Sequence, residues 1–151
     1  MQISTHFTLE EAVFSDTAIR LGIDNTPSEI IVEHMRFAAR GLEALRDYIN
    51  EPIIVNSWYR SIDLNKAIPG SSPTSAHTSG YAIDCKTNKM SILALCKNAA
   101  NLFVSYDQII YEYGGWMHIS FDPKNRKQLL TIFKGGKYKA GLLTKQEYLN
   151  P

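Results

Sequence analysis

The chain has 151 residues, of which 44% are hydrophobic and 21% are charged, proportions typical of a soluble globular protein. This length is that of one ordinary domain, so we expect a single domain over residues 1–151 that acts as a monomer. With 16 Lys and Arg against 15 Asp and Glu, the charge favours neither a nucleic acid nor a membrane as partner.

The first half of the chain predicts two helices. Thr8 and Glu11 have the spacing of a capping box, which predicts a short helix after Thr8. Residues 15–25 have the composition of a loop. Thr26 is then a candidate N-cap, and Pro27 suits the first helical position, so we predict the main helix over residues 27–49. Its apolar residues recur at steps of three and four: Ile31, Met35, Ala38, Leu42, Leu45 and Ile49.

The remainder of the chain predicts a small antiparallel sheet with helices packed against it, an α+β fold. Residues 61–79 are rich in Ser, Pro, Gly and Asn and read as a loop with a helical turn at residues 64–68. The tail beyond residue 136 predicts no element. Strands are predicted at residues 52–57, 81–86, 107–113, 116–121 and 128–133, with a hairpin turn at Gly114-Gly115. A helix is predicted at residues 91–103. Cys85 and Cys96 are predicted to be free buried thiols.

His77, Asp84 and His118 form a candidate zinc (Zn2+) site. His77 and Asp84 are seven residues apart, too far for one helical face, but a loop that enters a strand can bring both to one ion. Neutral imidazole nitrogen and carboxylate oxygen bind zinc near neutral pH. Three protein ligands leave one tetrahedral position for water, as in catalytic rather than structural zinc sites.

Glu112 is the candidate catalytic acid and base. A zinc site lowers the pKa of its water and polarises an amide carbonyl, and a nearby carboxylate must then move the water's proton to the leaving amine. The predicted hairpin pairs the strand of Glu112 with the strand of His118. The alternative is an ordinary surface strand residue, because apolar Ile109, Ile110 and Tyr111 precede it.

These motifs resemble a known family, the zinc D-alanyl-D-alanine carboxypeptidases and phage endolysin peptidases, whose fold is shared with the amino-terminal signalling domain of hedgehog proteins. The resemblance covers about residues 7–121 and implies that His77, Asp84 and His118 bind zinc and that Glu112 is catalytic. The Phe-Thr-Leu-Glu-Glu opening is similar to that of phage members. The motifs are Ser57-Trp58-Tyr59-Arg60-Ser61, the run from Ser75 through His77, Gly80 and Ala82 to Asp84, and the later Glu112 and His118.

The resemblance also implies two substrate-binding residues. Arg60 matches the arginine of a Ser-x-Tyr-Arg-Ser element, where the planar guanidinium would hold the substrate's carboxylate or scissile carbonyl. Ser75 matches the serine before the first ligand and would bind substrate or orient that loop. Asn65 matches a frequent Leu-Asn pair without an assigned role. An ordinary surface ion-pair residue is the alternative for Arg60.

Two positions depart from the family pattern. Ala76 stands where many relatives have Gln immediately before the first histidine, so one polar substrate contact is missing. Gly115 stands where many cell-wall enzymes have the catalytic Glu. The six-residue offset from Glu112 to His118 is instead that of the hedgehog-like and some phage branches.

Three further groups of residues have simpler interpretations. His6 and His34 are predicted to be structural or exposed, and His34 lies in the main helix without a partner in the sequence pattern. Trp58 and Trp116 are predicted to be core or pocket wall. The basic residues of segment 124–139 predict a solvated face, with contact to an anionic polymer as the alternative.

The leading hypothesis is a zinc-dependent peptidase that hydrolyses a D-alanyl or L-alanyl-D-glutamyl bond in peptidoglycan peptides, as a phage lysis or virion-associated enzyme. No signal peptide is recognisable, so we expect cytoplasmic synthesis and action at the cell wall, in the periplasm, after release by another factor. The alternative is a catalytically inactive, zinc-stabilised cell-wall-binding module. A third interpretation is an α+β scaffold without metal.

Overall fold

The secondary structure consists of six strands, six α-helices and one short 3-10 helix, in a computed structural model that describes residues 1–151. The predicted α+β class is confirmed. The helices are α1 (Leu9–Val13), α2 (Asp16–Leu21), α3 (Glu29–Ile49), α4 (Ile62–Ala67), α5 (Ile92–Leu102) and α6 (Lys145–Leu149), with the 3-10 helix at Ala76–Ser79. The strands are β1 (Ile54–Ser57), β2 (Ala82–Lys86), β3 (Gln108–Glu112), β4 (Trp116–Ser120), β5 (Gln128–Ile132) and β6 (Lys139–Ala140).

The strands form one sheet in the order β1-β2-β4-β3-β5-β6. Every neighbouring pair is antiparallel except β3 and β5, which run parallel. The sequence predicted an antiparallel sheet and did not show this parallel pair, because direction depends on how the chain crosses over and not on strand composition. Both β6 and α6 lie in the tail where no element was predicted.

The two faces of the central strands have different residues. Strand side chains alternate between faces, so Ile83 and Cys85 of β2 point with Ile109, Met117 and Ile119 into the hydrophobic core. The core is covered by the apolar faces of α3 and α5, with Met35, Ala38, Leu42, Leu45, Leu95 and Ala99 fully buried. The opposite face of the sheet carries Asp84, Glu112 and His118.

Three helix predictions need correction. The main helix, α3, begins at Glu29 with Ser28 as its N-cap, so Thr26 and Pro27 precede it. Residues 15–25 are not all loop, because α2 forms there between an N-cap at Ser15 and a left-handed C-cap at Gly22. The six residues of α2 make fewer than two helical turns, too few for the apolar periodicity that revealed α3.

In the fourth helix, α4, Ser61 provides the N-cap, so the helical turn predicted at 64–68 is a helix that starts two residues earlier. The predicted hairpin joins β3 to β4 as expected, but Tyr113 belongs to the turn, with a φ of 57°. Cys85 and Cys96 are free and buried. None of the helices has the length and apolar character needed to cross a membrane.

Candidate metal centre and active site

His77, Asp84 and His118 lie together, with potential ligand atoms within 4.8 Å of one another and all three side chains buried. Asp84 is central to the group. Its Oδ1 is 3.3 Å from His77 Nε2 and 3.0 Å from His118 Nδ1. Two imidazole nitrogens and a carboxylate oxygen are a donor set typical of zinc, so this group could hold a metal ion.

Strand register and a tight turn bring these residues together. Asp84 on β2 is directly opposite His118 on β4, so both side chains point to the same face. His77 comes from the 3-10 helix, where its backbone N–H donates to Ser75 Oγ at 3.2 Å. Gly80 ends this helix with a φ of 82°, a left-handed conformation that glycine adopts without steric cost.

The backbone of Trp58 orients His77. His77 Nδ1 lies 2.6 Å from the Trp58 carbonyl oxygen, and because a carbonyl only accepts, Nδ1 carries a proton and Nε2 is the nitrogen that faces Asp84. Such a bond to the remote ring nitrogen is usual for a metal-binding histidine. The Trp58 indole N–H donates to the Gly80 carbonyl at 2.9 Å. Trp58, predicted as core or pocket wall, is fully buried and supports both ends of the turn.

The charge state of Asp84 follows from its neighbours. Burial works to raise its pKa, but the imidazoles of His77 and His118 outweigh burial and hold the pKa of Asp84 well below its usual range. The carboxylate is therefore ionised at neutral pH. A buried negative charge is stable only when neighbouring groups compensate it. A cation bound between the same side chains would also compensate the charge of Asp84.

Glu112 lies beside this group on β3. Its Oε1 is 3.8 Å from His118 Nδ1, and its side chain is 14% exposed. Burial and the negative charge of Asp84 raise the pKa of Glu112 to about 7. A carboxyl group with this pKa can both accept and release a proton near neutral pH, as a general acid and base must.

Arg60 also reaches the site and is only 15% exposed, unlike an ordinary surface ion-pair residue. Its Nη2 is 3.6 Å from Asp84 Oδ2, and its backbone N–H donates to the His77 carbonyl. Its Nη1 donates to Asn65 Oδ1 at 3.5 Å. Asn65 is buried and donates through Nδ2 to the Ser72 carbonyl, so it links Arg60 to the loop before His77.

Asn25 is a supporting residue that the sequence analysis missed. Its Nδ2 donates to the carbonyls of Val13 and Tyr59, and its Oδ1 accepts from the Ser61 N–H at 2.7 Å. These bonds hold the backbone on both sides of Arg60. A single asparagine in a predicted loop gave no pattern that could have revealed this role.

All six predicted site residues line one open cleft of about 630 Å³: Arg60, Ser75, His77, Asp84, Glu112 and His118. Trp116, predicted as core or pocket wall, lines the same cleft. Residues 68–72 and 74–76 border the cleft before β2, and Tyr113 in the turn after β3 borders it beside Glu112. The cleft thus gives a substrate access to the candidate metal ligands and to Glu112 at once.

The remaining two histidines lie outside this cleft. His6 pairs with Glu43 at the surface. His34 Nδ1 lies 2.8 Å from the Ser79 carbonyl, and its ring stacks on Tyr81 with centroids 4.3 Å apart. His34 thus has a structural role, as predicted, and its partners were not visible in the sequence because α3 packs against residues distant in the chain.

A family model described as Peptidase M15 matches residues 5–120, about three quarters of the chain. The matched segment contains all six predicted site residues. A search of curated proteins gives no significant match.

Proposed function

Because the chain belongs to the peptidase M15 family, a family of metallopeptidases, we propose that residues 1–151 form a zinc peptidase domain that hydrolyses peptide bonds of bacterial peptidoglycan. We propose a D-alanyl or an L-alanyl-D-glutamyl bond as the target. Family membership supports the reaction class, and the resemblance to cell-wall enzymes supports these two linkages.

One observation carries this proposal. The buried group of His77, Asp84 and His118 shares a cleft with Glu112, whose carboxyl oxygen is 3.8 Å from His118. A stabilising metal site needs only the three ligands, whereas a hydrolase also needs a proton carrier and access for substrate. The shared cleft supports a hydrolase, because it offers a candidate proton carrier in Glu112 and access for a substrate.

In the proposed site, His77 Nε2, Asp84 and His118 Nδ1 hold zinc. When bound, zinc would polarise the substrate carbonyl and make water a better nucleophile. His77 is fixed in the required tautomer by its bond to Trp58. His118 shares its Nδ1 side with Asp84 and Glu112, so the proton carrier lies next to a ligand.

Glu112 moves the proton in this proposal. Its carboxylate accepts a proton from the attacking water and then donates that proton to the leaving amine. Its raised pKa supports this role, because a carboxyl with an ordinary pKa would be a weaker base. Its partial exposure to the cleft allows contact with the substrate.

Arg60 and Ser75 bind the substrate in this proposal. Arg60 Nε is buried without a hydrogen-bond partner, so a movement of the guanidinium on substrate binding would bring an unused donor to a substrate carbonyl or carboxylate. Ser75 Oγ accepts from the His77 N–H, which leaves the hydroxyl proton available to the substrate. The same bond also orients the turn that carries His77.

We further propose that the enzyme acts at the bacterial cell wall as a phage lysis or virion-associated protein. The Phe7-Thr8-Leu9-Glu10-Glu11 opening, similar to that of phage members, supports this setting. The substrate would be a peptidoglycan peptide, bound by a monomer.

The test is digestion of purified muropeptides by the zinc-loaded protein, analysed by mass spectrometry. The wild type should release a fragment whose mass identifies the bond, and a chelator should abolish that release. Glu112→Gln should lower the rate by roughly 10²–10⁴-fold, the usual contribution of a positioned acid and base, without loss of bound zinc. Glu33→Gln, a change at a 73% exposed glutamate on α3, is the matched control and should retain full activity.

The result that would overturn the proposal is a protein that holds one zinc and releases no fragment from any muropeptide. Such a protein would instead support the zinc-stabilised wall-binding module. In that case, binding to intact peptidoglycan should be unaffected by Glu112→Gln.

A further inference from the structure

The segment after the family match contributes to the cleft. The match ends at residue 120, yet Leu130 of β5 and Tyr138, immediately before β6, line the same cleft as His118 and Glu112. Part of the cleft wall is therefore formed by residues that follow the matched segment.

The sheet register explains why Tyr138 faces the cleft. Asp84, His118, Ile110, Leu130 and Ala140 are successive partners across five strands, so these residues share the face that carries the candidate metal ligands. Residues 138 and 140 are two positions apart, and alternation places Tyr138 on the same face as Ala140. Lys139 between them points to the opposite face, where its Nζ lies 4.6 Å from the centre of the Tyr148 ring.

Tyr148 on α6 contacts both neighbours of Tyr138, the backbone of Lys137 and the side chain of Lys139. The Tyr148 hydroxyl donates to the Lys137 carbonyl at 2.7 Å, and its backbone carbonyl accepts from Lys139 Nζ at 2.6 Å. Tyr148 is buried, and its ring packs on Phe133. At Gly136 a Cβ atom would overlap the Tyr148 hydroxyl, so only glycine allows this approach.

Tyr138 itself is left open to solvent. It is 55% exposed, although its flanking residues are anchored. Tyr113 and Trp116 line the cleft beside it, with their rings 5.4 Å apart. We call Tyr113, Trp116 and Tyr138 the aromatic wall. Trp116 lies close enough to Glu112 to lower the pKa of that carboxyl. Burial, followed by the charge of Glu112, raises the pKa of Tyr138, so the Tyr138 hydroxyl keeps a proton to donate.

We propose that Tyr138 contacts the substrate and helps to select the amino acid on the leaving side of the scissile bond. This inference rests on the proposed function. Glu112 donates its proton to the leaving amine, and the aromatic wall adjoins Glu112 through the hairpin pairing of Glu112 with Trp116. In this arrangement the residue that carries the leaving amine would lie against the aromatic wall. Tyr138 provides a flat apolar ring and a hydroxyl donor for it.

Binding can be measured separately from cleavage. In the Glu112→Gln background, calorimetry with a synthetic stem pentapeptide of peptidoglycan, which contains both candidate bonds, gives a dissociation constant without turnover. Adding Tyr138→Ala should raise that constant about tenfold, through loss of ring contact and one hydrogen bond. Tyr138→Phe should raise it by roughly threefold. Tyr48→Ala, at a 50% exposed tyrosine on α3, is the matched control and should leave it unchanged.

Cleavage assays in the active protein then test specificity. Tyr138→Ala should raise KM more than it lowers kcat and should reduce discrimination between peptides that differ only in the leaving residue. Tyr148→Phe removes the hydrogen bond to the Lys137 carbonyl. This variant should also weaken discrimination, but less than Tyr138→Ala does, and its main kinetic effect should be a higher KM.

The outcomes separate this inference from the proposed function. If the wild type cleaves muropeptides and Tyr138→Ala binds and discriminates as Tyr48→Ala does, the aromatic wall has no role in selection. If the wild type neither cleaves nor binds the peptides, the proposed function fails and the inference fails with it. If the peptide binds without being cleaved, the dissociation constants alone decide the role of Tyr138.

Discussion

Two carboxyl groups close to one another in this cleft have opposite pKa shifts. The imidazoles that face Asp84 lower its pKa despite burial, whereas burial and the charge of Asp84 raise the pKa of Glu112 to about 7. Divergent pKa values of neighbouring acids commonly separate a permanently charged group from a proton carrier. Asp84 is thus suited to hold a cation and Glu112 to exchange protons.

The raised pKa of Glu112 predicts a pH-dependent stability difference between the metal-free wild type and Glu112→Gln. From its ordinary value of 4.5 up to about 7, the unfolded chain releases this proton while the folded protein keeps it, so the wild type loses stability as pH rises. Glutamine does not titrate. Above pH 7 the variant should therefore gain stability relative to the wild type, by roughly 3 kcal/mol at most.

Urea unfolding with a chelator present, at pH 4 and at pH 8, measures this difference. The free energies of unfolding of wild type and Glu112→Gln should be similar at pH 4 and diverge by pH 8. Glu33→Gln should show no such divergence, because Glu33 is a solvent-exposed side chain. A gap between wild type and Glu112→Gln that stays constant over this range would contradict the raised pKa.

At the scale of elements, the site depends on the contact between α3 and the turn that carries His77. Gly80 packs against α3 so closely that a Cβ would lie 2.9 Å from Met35 Cγ and 3.1 Å from the Ile31 carbonyl oxygen. The turn is also tied to the end of β1, because Trp58 bonds to both His77 and Gly80. A bulge at Val55 to Ser57 interrupts β1 just before Trp58, as is common beside active sites.

Gly80→Ala should therefore both destabilise the protein and weaken zinc binding. The left-handed backbone and the collision with α3 together cost roughly 2–5 kcal/mol, and relief of the collision would displace His77. Gly22→Ala is the matched control, since Gly22 has a φ of 66° but no atom within 4 Å of the added Cβ. It should cost roughly 1–2 kcal/mol.

Thermal unfolding and zinc titration of both variants measure these effects. Equal losses of stability, together with unchanged zinc affinity in Gly80→Ala, would show that packing against α3 does not position His77.

At the scale of the whole molecule, the candidate metal ligands join parts of the chain that are distant in sequence. His77 lies in the turn before β2, Asp84 in β2 and His118 in β4 beyond α5 and β3. A ligand that binds only the folded state stabilises the entire domain. Removal of zinc should therefore lower the melting temperature of the whole protein and not merely loosen one loop.

A chelator should lower the Tm by about 10 °C, because zinc at a thousand times its dissociation constant adds ~4 kcal/mol and each kcal/mol shifts the Tm of a domain this size by about 2–4 °C. His77→Ala should have a low Tm that the chelator does not change. The matched control, His6→Ala, alters a surface histidine paired with Glu43 and should retain the full shift. A chelator effect in His77→Ala equal to that in the wild type would place the metal elsewhere.

The sequence by itself determined the α+β class and most strands, because periodicity and turn residues are local properties. The spacing of His77, Asp84 and His118, with their resemblance to a peptidase family, also predicted the residues that meet in the cleft. Only the tertiary structure decided the parallel pairing of β3 and β5, the support that Asn25 and Trp58 give, and the position of Tyr138 over the cleft. Each of these depends on contacts between residues far apart in the chain. The raised pKa of Glu112 does too, because it results from burial and from the charge of Asp84. Composition and residue spacing are local properties and do not predict such long-range contacts.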